Sequence, residues 1–269
     1  MSYLDTLSKE QKDNIAIIVD EAKKAGITND KAIAAILAII SKESSFIPKS
    51  EKSYSGTSNA RIRKVFGSRV PSSDSELNTL KANPEAFFNA VYGGRYGNAS
   101  NEGYKYRGRG LNQITFKGNY DKYAKLVDVD LVNNPEKLMD IRTAAKVAVQ
   151  FAKNGVQKLN DLGKLKSYNA ANINDFKTSR DSTLALYHAN AGAGKSVSYI
   201  KNLAENDPYG GMTKALSRVG DLVEASKTFV KKKPLLTVII TAAIITSIFF
   251  IVKYSGITKK NKVINKIVN

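Results

Sequence analysis

Cysteine is absent from all 269 residues, which excludes disulfides, thiolate metal sites and cysteine nucleophiles together. The same absence leaves the chain indifferent to redox compartment. Histidine is nearly absent too. His188 alone cannot build an imidazole metal cage, and no G-x-S-x-G turn accompanies it for serine chemistry; a packed or surface histidine is the expectation. Acidic residues stop at Glu224, and nine lysines follow it. The formal charge of +18 is thus split in half, leaving +9 on the first 224 residues, a balance suited to an anionic polymer. No basic-then-apolar signal opens the chain, residues 1–12 being polar.

What is present begins with an uncharged, mostly apolar run at residues 235–252, LLTVIITAAIITSIFFIV, between Lys231–Lys233 and Lys253. As a helix it spans about 27 Å, close to the hydrocarbon thickness of a bilayer. A transmembrane helix is therefore expected there, with lysines on both sides that bind anionic headgroups and leave orientation open. The domain plan that follows is a soluble domain over 1–224, a basic juxtamembrane linker over 225–234, the span, and a short basic tail over 253–269. The expected location is a single-pass membrane protein.

Helical periodicity dominates the soluble part. Residues 14–24 place Ile15, Ile18, Val19 and Ala22 on one face and stop at Gly26. Asn29 can cap a second helix with the stripe Ile33, Ile36, Leu37 and Ile40. Asn134–Pro135 opens a third, with the stripe Leu138, Ile141, Ala145, Ala148, Val149 and Ala152, ending near Gly155. Residues 53–75 and 92–113, rich in Gly, Ser, Tyr and Arg, are expected as loops with at most short strands. The fold class is mainly α, a helical domain with an irregular, loop-rich middle.

Continuing the second stripe by one turn reaches Glu43. A carboxyl on the core-facing edge of a helix end is partly desolvated, which favours its neutral form, the state a general acid needs. Glu51 lies in the polar stretch PKSEKSYS at 48–55, where an exposed, lysine-flanked carboxylate stays ionised and can serve as a base. Two carboxyls in contrasting environments are the minimal equipment for glycosidic cleavage. Downstream stands YKYRGRGLNQITFKGNY at 104–120. Gly108 and Gly110 let the backbone approach a ligand, Gln113, Thr115 and Asn119 offer amide and hydroxyl groups to sugar hydroxyls, and Tyr104, Tyr106 and Tyr120 offer ring faces.

YRGRGLNQITFKGNY resembles the signature of glycoside hydrolase family 19, the family of chitinases and phage endolysins. Four further segments resemble family elements in order: ESSF at 43–46, YGGRYGN at 92–98, VDLVNNPEKL at 129–138 and HANAGAG at 188–194. The resemblance covers roughly residues 10–200. It implies a lysozyme-like α+β fold of two lobes, Glu43 as general acid, Glu51 as the base that activates water, and Thr115 as the hydroxyl that helps hold that water. It places sugar contacts on Gln113, Asn119 and Asn190, and also on Tyr96, Arg109 and Tyr106. The chemistry implied is inverting hydrolysis, without metal or organic cofactor. Lys42 stands where the family carries His.

The expected function is a peptidoglycan-degrading hydrolase of endolysin type, with bacterial peptidoglycan and, through 235–252, a lipid bilayer as partners. The anchor suggests a lysin of a phage virion membrane or of the host cell membrane. Two alternatives stand beside it: a glycan-binding or structural virion protein on a degenerate hydrolase scaffold, and a chitinase. AGAGKS at 191–196 lacks the first glycine of a phosphate loop. The basic stretch 61–69 comes without a nucleic-acid-binding motif, so no nucleic-acid partner is expected.

Overall fold

Ser8 closes a capping box with Gln11 and starts α1 (Lys9–Lys24), ahead of the residue 14 that periodicity indicates. Its stripe Ile15, Ile18, Val19 and Ala22 is at most 1% exposed. Asn29 caps α2 (Asp30–Ser44), its side chain accepting from the amides of Lys31 and Ala32, a contact generally worth about 1 kcal/mol. The Ile33, Ile36, Leu37, Ile40 stripe is buried, and so are Ala32, Ala34, Ala35 and Ala38 on the remaining sides. The alanines let neighbouring helices approach, and α2 becomes the central helix of a bundle with α1, α7 (Ile141–Asp161) and α8 (Ser179–Gly192).

The computed structural model describes residues 2–206 and 211–231. Among them are ten α-helices and a single two-stranded antiparallel sheet, so the mainly helical class holds. The chain divides into two units, residues 1–226 and 227–269, and of the second only 227–231 are described, as the end of α10 (Gly211–Lys231). Within the first unit, Arg218 of α10 donates to the Ser41 hydroxyl of α2, and Asp221 accepts from the Ser2 hydroxyl and the Tyr3 amide.

The expected transmembrane helix needs correction. No helix among the described residues is long and apolar enough to cross a membrane, and the run 235–252 that suggested one lies outside them. Among the described residues the fold class is a mainly helical domain, and no helix there supports the added span. The expectation of a single-pass membrane protein falls with it, as does the virion or host-membrane location that rested on it.

Three local expectations also change. Residues 53–75 contain a helix, α3 (Asn59–Phe66), capped by Ser58 and burying only Ile62 and Phe66, one turn apart. Asn134–Pro135 opens a short 3-10 turn (Pro135–Met139) instead of the long helix. Asp140 then caps α7 by accepting from the Thr143 amide. Gly155 does not end α7; a Cβ there would lie 2.7 Å from the Ala189 Cβ, so this glycine lets α7 and α8 pack closely.

A second apolar cluster forms on α3, α4 (Asp74–Ala82) and α5 (Pro84–Tyr92), where Ile62, Phe66, Leu77, Phe87, Phe88 and Val91 are buried. A third gathers Tyr106, Ile114, Tyr120, Tyr123 and Leu138 around α6 (Lys117–Val127). Between these clusters run the strands β1 (Lys49–Ser50) and β2 (Arg109–Gly110), paired Lys49 to Gly110 and Ser50 to Arg109.

Candidate active site

The α2 helix ends in a sharp reversal. Ser45 and Phe46 both adopt positive φ, 55° and 64°, a strained conformation for non-glycine residues. It is held from α1: the Gln11 amide donates to the Ser45 carbonyl, and the buried Asn14 amide donates to the Phe46 carbonyl at 2.9 Å. This turn leaves Glu43 at the helix tip and delivers the chain at once to β1, which carries Glu51 just beyond its end.

Glu43 is half-buried, with 30% of its side chain exposed. Its Oε1 accepts from the Asn190 amide of α8 at 3.3 Å and lies 3.5 Å from the Lys42 ammonium, which also sits over the Tyr187 ring. Both contacts fall on Oε1.

Glu51 is also half-buried, where an exposed carboxylate was expected. Its Oε1 accepts from the Tyr54 hydroxyl at 2.8 Å and the Tyr92 hydroxyl at 2.9 Å, and its Oε2 accepts from the Gly108 amide at 3.1 Å. The Glu51 amide in turn donates to the Gly108 carbonyl at 2.7 Å, extending the two-strand ladder by one residue. Burial, and then the Glu51 charge, push both phenols well above the ordinary tyrosine range, so they remain donors at any working pH. Three donors converge on this carboxylate.

The loop after β2 closes the arrangement. A Cβ on Gly108 would lie 3.0 Å from Gln113 Oε1 and 3.2 Å from Glu51 Oε2, so Gln113 and Glu51 flank the same glycine. Gln113 has a φ of 53° and donates through Nε2 to the carbonyls of Lys49 and Gly110. The Thr115 hydroxyl donates to the Gln113 carbonyl at 3.1 Å, and the exposed Asn119 amide donates to the Thr115 carbonyl at 2.8 Å. Asn112, beside Gln113, shares a narrow apolar pocket with Ile39, Ile40 and Asn190, which puts this loop against the helix ends bearing Glu43 and its partner. Asn190 thus bonds to Glu43 and shares a pocket wall with Asn112, while Glu51 and Gln113 meet at Gly108.

Not every residue named from sequence faces outward. Tyr96 does: it is 68% exposed, packed edge-on to Phe116 at 4.8 Å with the Arg95 guanidinium over its face. Tyr106 is fully buried and its hydroxyl donates to the Val132 carbonyl. Arg109 is 7% exposed, and its Nη1 donates to the Lys105 carbonyl and the Tyr120 hydroxyl. These two, expected as sugar contacts, are arranged as internal braces of the 104–120 loop and offer no surface to a ligand. Sequence reasoning missed Tyr54 and Tyr92. Tyr54 lies three residues after Glu51, and Tyr92 opens the YGGRYGN segment, but neither position signals a contact with that carboxylate. Among the described residues no cluster of His, Cys, Asp and Glu could hold a metal ion.

The described residues form a mainly helical domain in which two carboxyls, Glu43 and Glu51, stand near a polar, glycine-rich loop. No family model matches the chain. A curated relative from Haemophilus influenzae, a glycosyl hydrolase family 19 domain-containing protein, is 35% identical over 141 residues, covering 49% of this chain. The match spans 66% of that relative, just under two thirds of its length. The motif resemblance to glycoside hydrolase family 19 thus has beside it a relative whose name carries that family's domain.

Proposed function

We propose that the chain is an inverting glycoside hydrolase acting on the glycan strands of bacterial peptidoglycan, with Glu43 as acid and Glu51 as base. The observation that carries this reading is the Glu51 seat, where Tyr54, Tyr92 and the Gly108 amide solvate a carboxylate beside the loop bearing Gln113 and Thr115. In the reaction, the glycosidic bond breaks with its electron pair passing to the leaving oxygen, which takes the proton from Glu43. A water held by Thr115 forms the new bond to the anomeric carbon from the opposite face and gives its proton to Glu51 Oε2. Exchange with solvent then restores both carboxyls. The relative's name supports glycosyl hydrolysis, and the +9 on residues 1–224 favours an anionic wall over neutral chitin.

The test is release of reducing ends from purified peptidoglycan by the full chain, beside Glu43→Gln and Glu51→Gln and with chitin oligomers in parallel. Each variant is expected to lose at least about 100-fold in kcat, and proton NMR of early product is expected to show an inverted anomer. Equal activity in the Gln variants removes the reading, and preference for chitin oligomers replaces the substrate. One contact favours a second reading, a non-catalytic glycan-binding protein. Lys42 lies 3.5 Å from Glu43 Oε1, so an ammonium stands beside the carboxyl proposed as the acid. Wall binding without any release of reducing ends would establish that alternative.

A further inference from the structure

The aromatic cluster of α3–α5 ends in two hydroxyls on one catalytic oxygen. Tyr54 is wedged against Phe66 at 5.4 Å, Phe87 at 5.2 Å and Phe88 at 6.0 Å between ring centroids. Tyr92 stacks on Phe88 at 5.9 Å and meets Phe116 edge-on at 5.3 Å. Neither ring can turn without displacing buried phenylalanines, so both O–H vectors are fixed by the packing of this small lobe. Both reach Glu51 Oε1, while the backbone amide of Gly108 reaches Oε2.

Resting on the hydrolase reading above, we infer that Tyr54 and Tyr92 are positioning residues, a two-phenol clamp by which the α3–α5 lobe fixes the carboxylate of Glu51 and keeps it ionised for water activation. Occupying Oε1 twice leaves the remaining lone pair on Oε2 as the direction in which a proton can arrive. The clamp therefore selects which oxygen acts as base, and the lobe's aromatic core is coupled to catalysis although none of its phenylalanines touches substrate. The other groups whose charge reaches Glu51 are the Arg107 guanidinium and the Tyr120 phenol, with Lys52 next in sequence. Arg107 supplies favourable charge, but no hydrogen bond to the carboxylate runs from it. The two phenols are thus the directed part of the electrostatic environment.

Replacing either tyrosine by phenylalanine removes one oxygen and keeps the ring. Tyr54→Phe and Tyr92→Phe are each expected to move the acidic limb of the pH–kcat profile on peptidoglycan upward by about one pH unit, the effect of one hydrogen bond to a charged acceptor. The double variant is expected to move it by about two. KM is expected to stay within about twofold, because neither hydroxyl faces the substrate. Far-ultraviolet circular dichroism and melting of each variant establish that it folds. An active wild type whose acidic limb stays fixed in both variants, with only the melting temperature falling, overturns the inference and leaves the hydrolase reading standing. A wild-type chain that releases no reducing ends removes both together. A loss expressed as raised KM instead of a displaced limb makes the hydroxyls substrate contacts and also overturns it.

Discussion

Gly108→Ala separates catalysis from folding in a way that the geometry makes quantitative. The new Cβ would lie 3.0 Å from Gln113 Oε1, 3.2 Å from Glu51 Oε2 and 3.5 Å from Glu51 Cβ. The two closest atoms are the far ends of flexible side chains, which can retreat by a few tenths of an ångström, so the cost to stability is expected to be about 1 kcal/mol. For a domain of this size that lowers Tm by about 2–4 °C. The same retreat displaces the base and weakens its bond to the Gly108 amide. Displacements approaching 1 Å in a catalytic group cost about 100-fold in rate, and a drop of at least about tenfold in kcat is expected here. Gly103→Ala is the matched control. Its Cβ would meet the Phe88 carbonyl oxygen at 2.1 Å and the Phe88 carbonyl carbon at 2.7 Å, backbone atoms of α5 that cannot step aside. A loss of about 3 kcal/mol is expected, the larger stability cost of the two. Urea denaturation and reducing-end release on the two variants give the comparison. Gly108→Ala with kcat within twofold of wild type would refute the placement of Glu51 at the reacting centre.

Other perturbations give sharp outcomes. His188 is fully buried; the Tyr168 hydroxyl, whose pKa burial pushes up to about 12, donates to Nδ1, and Nε2 donates to the Lys195 carbonyl. Burial holds the imidazole below its ordinary value, so the unfolded chain binds the proton first, and the stability His188 contributes above about pH 6.5 is lost as pH falls through its folded value. Tm measured from pH 8 to pH 5 should therefore fall more steeply in wild type than in His188→Gln, and equal slopes would refute this. Arg109→Ala removes a buried brace on Lys105 and Tyr120 and should cost about 2–3 kcal/mol with KM unchanged; a raised KM at unchanged Tm would return Arg109 to the sugar contacts.

The parts legible from sequence were those set by local chemistry. The Asn29 cap, the α1 and α2 stripes, and Glu43 as the next position on the α2 stripe follow from periodicity and from side chains that bond within one turn. What was not legible depends on partners far along the chain. Residues 59–66 carry only two buried apolar side chains, Ile62 and Phe66, too few to stand out from a polar, arginine-rich stretch. Tyr106 and Arg109 read as outward-facing because glycine-rich loops generally lie on the surface. They turn inward because α6 and the 3-10 turn supply Tyr120 and Leu138 to cover them. The same dependence explains Glu51. From its lysine neighbours it was expected to be solvated by water, whereas its donors come from Tyr92, 41 positions away, and from the Gly108 amide, 57 away. A base solvated by fixed protein dipoles keeps its charge without the reorganisation that water requires at the moment of proton transfer. Here that preorganisation is provided by a core of phenylalanines and tyrosines, so substitutions deep in the α3–α5 lobe, such as Phe88→Leu, should act on the rate through Glu51 before they act on the stability of the helical bundle.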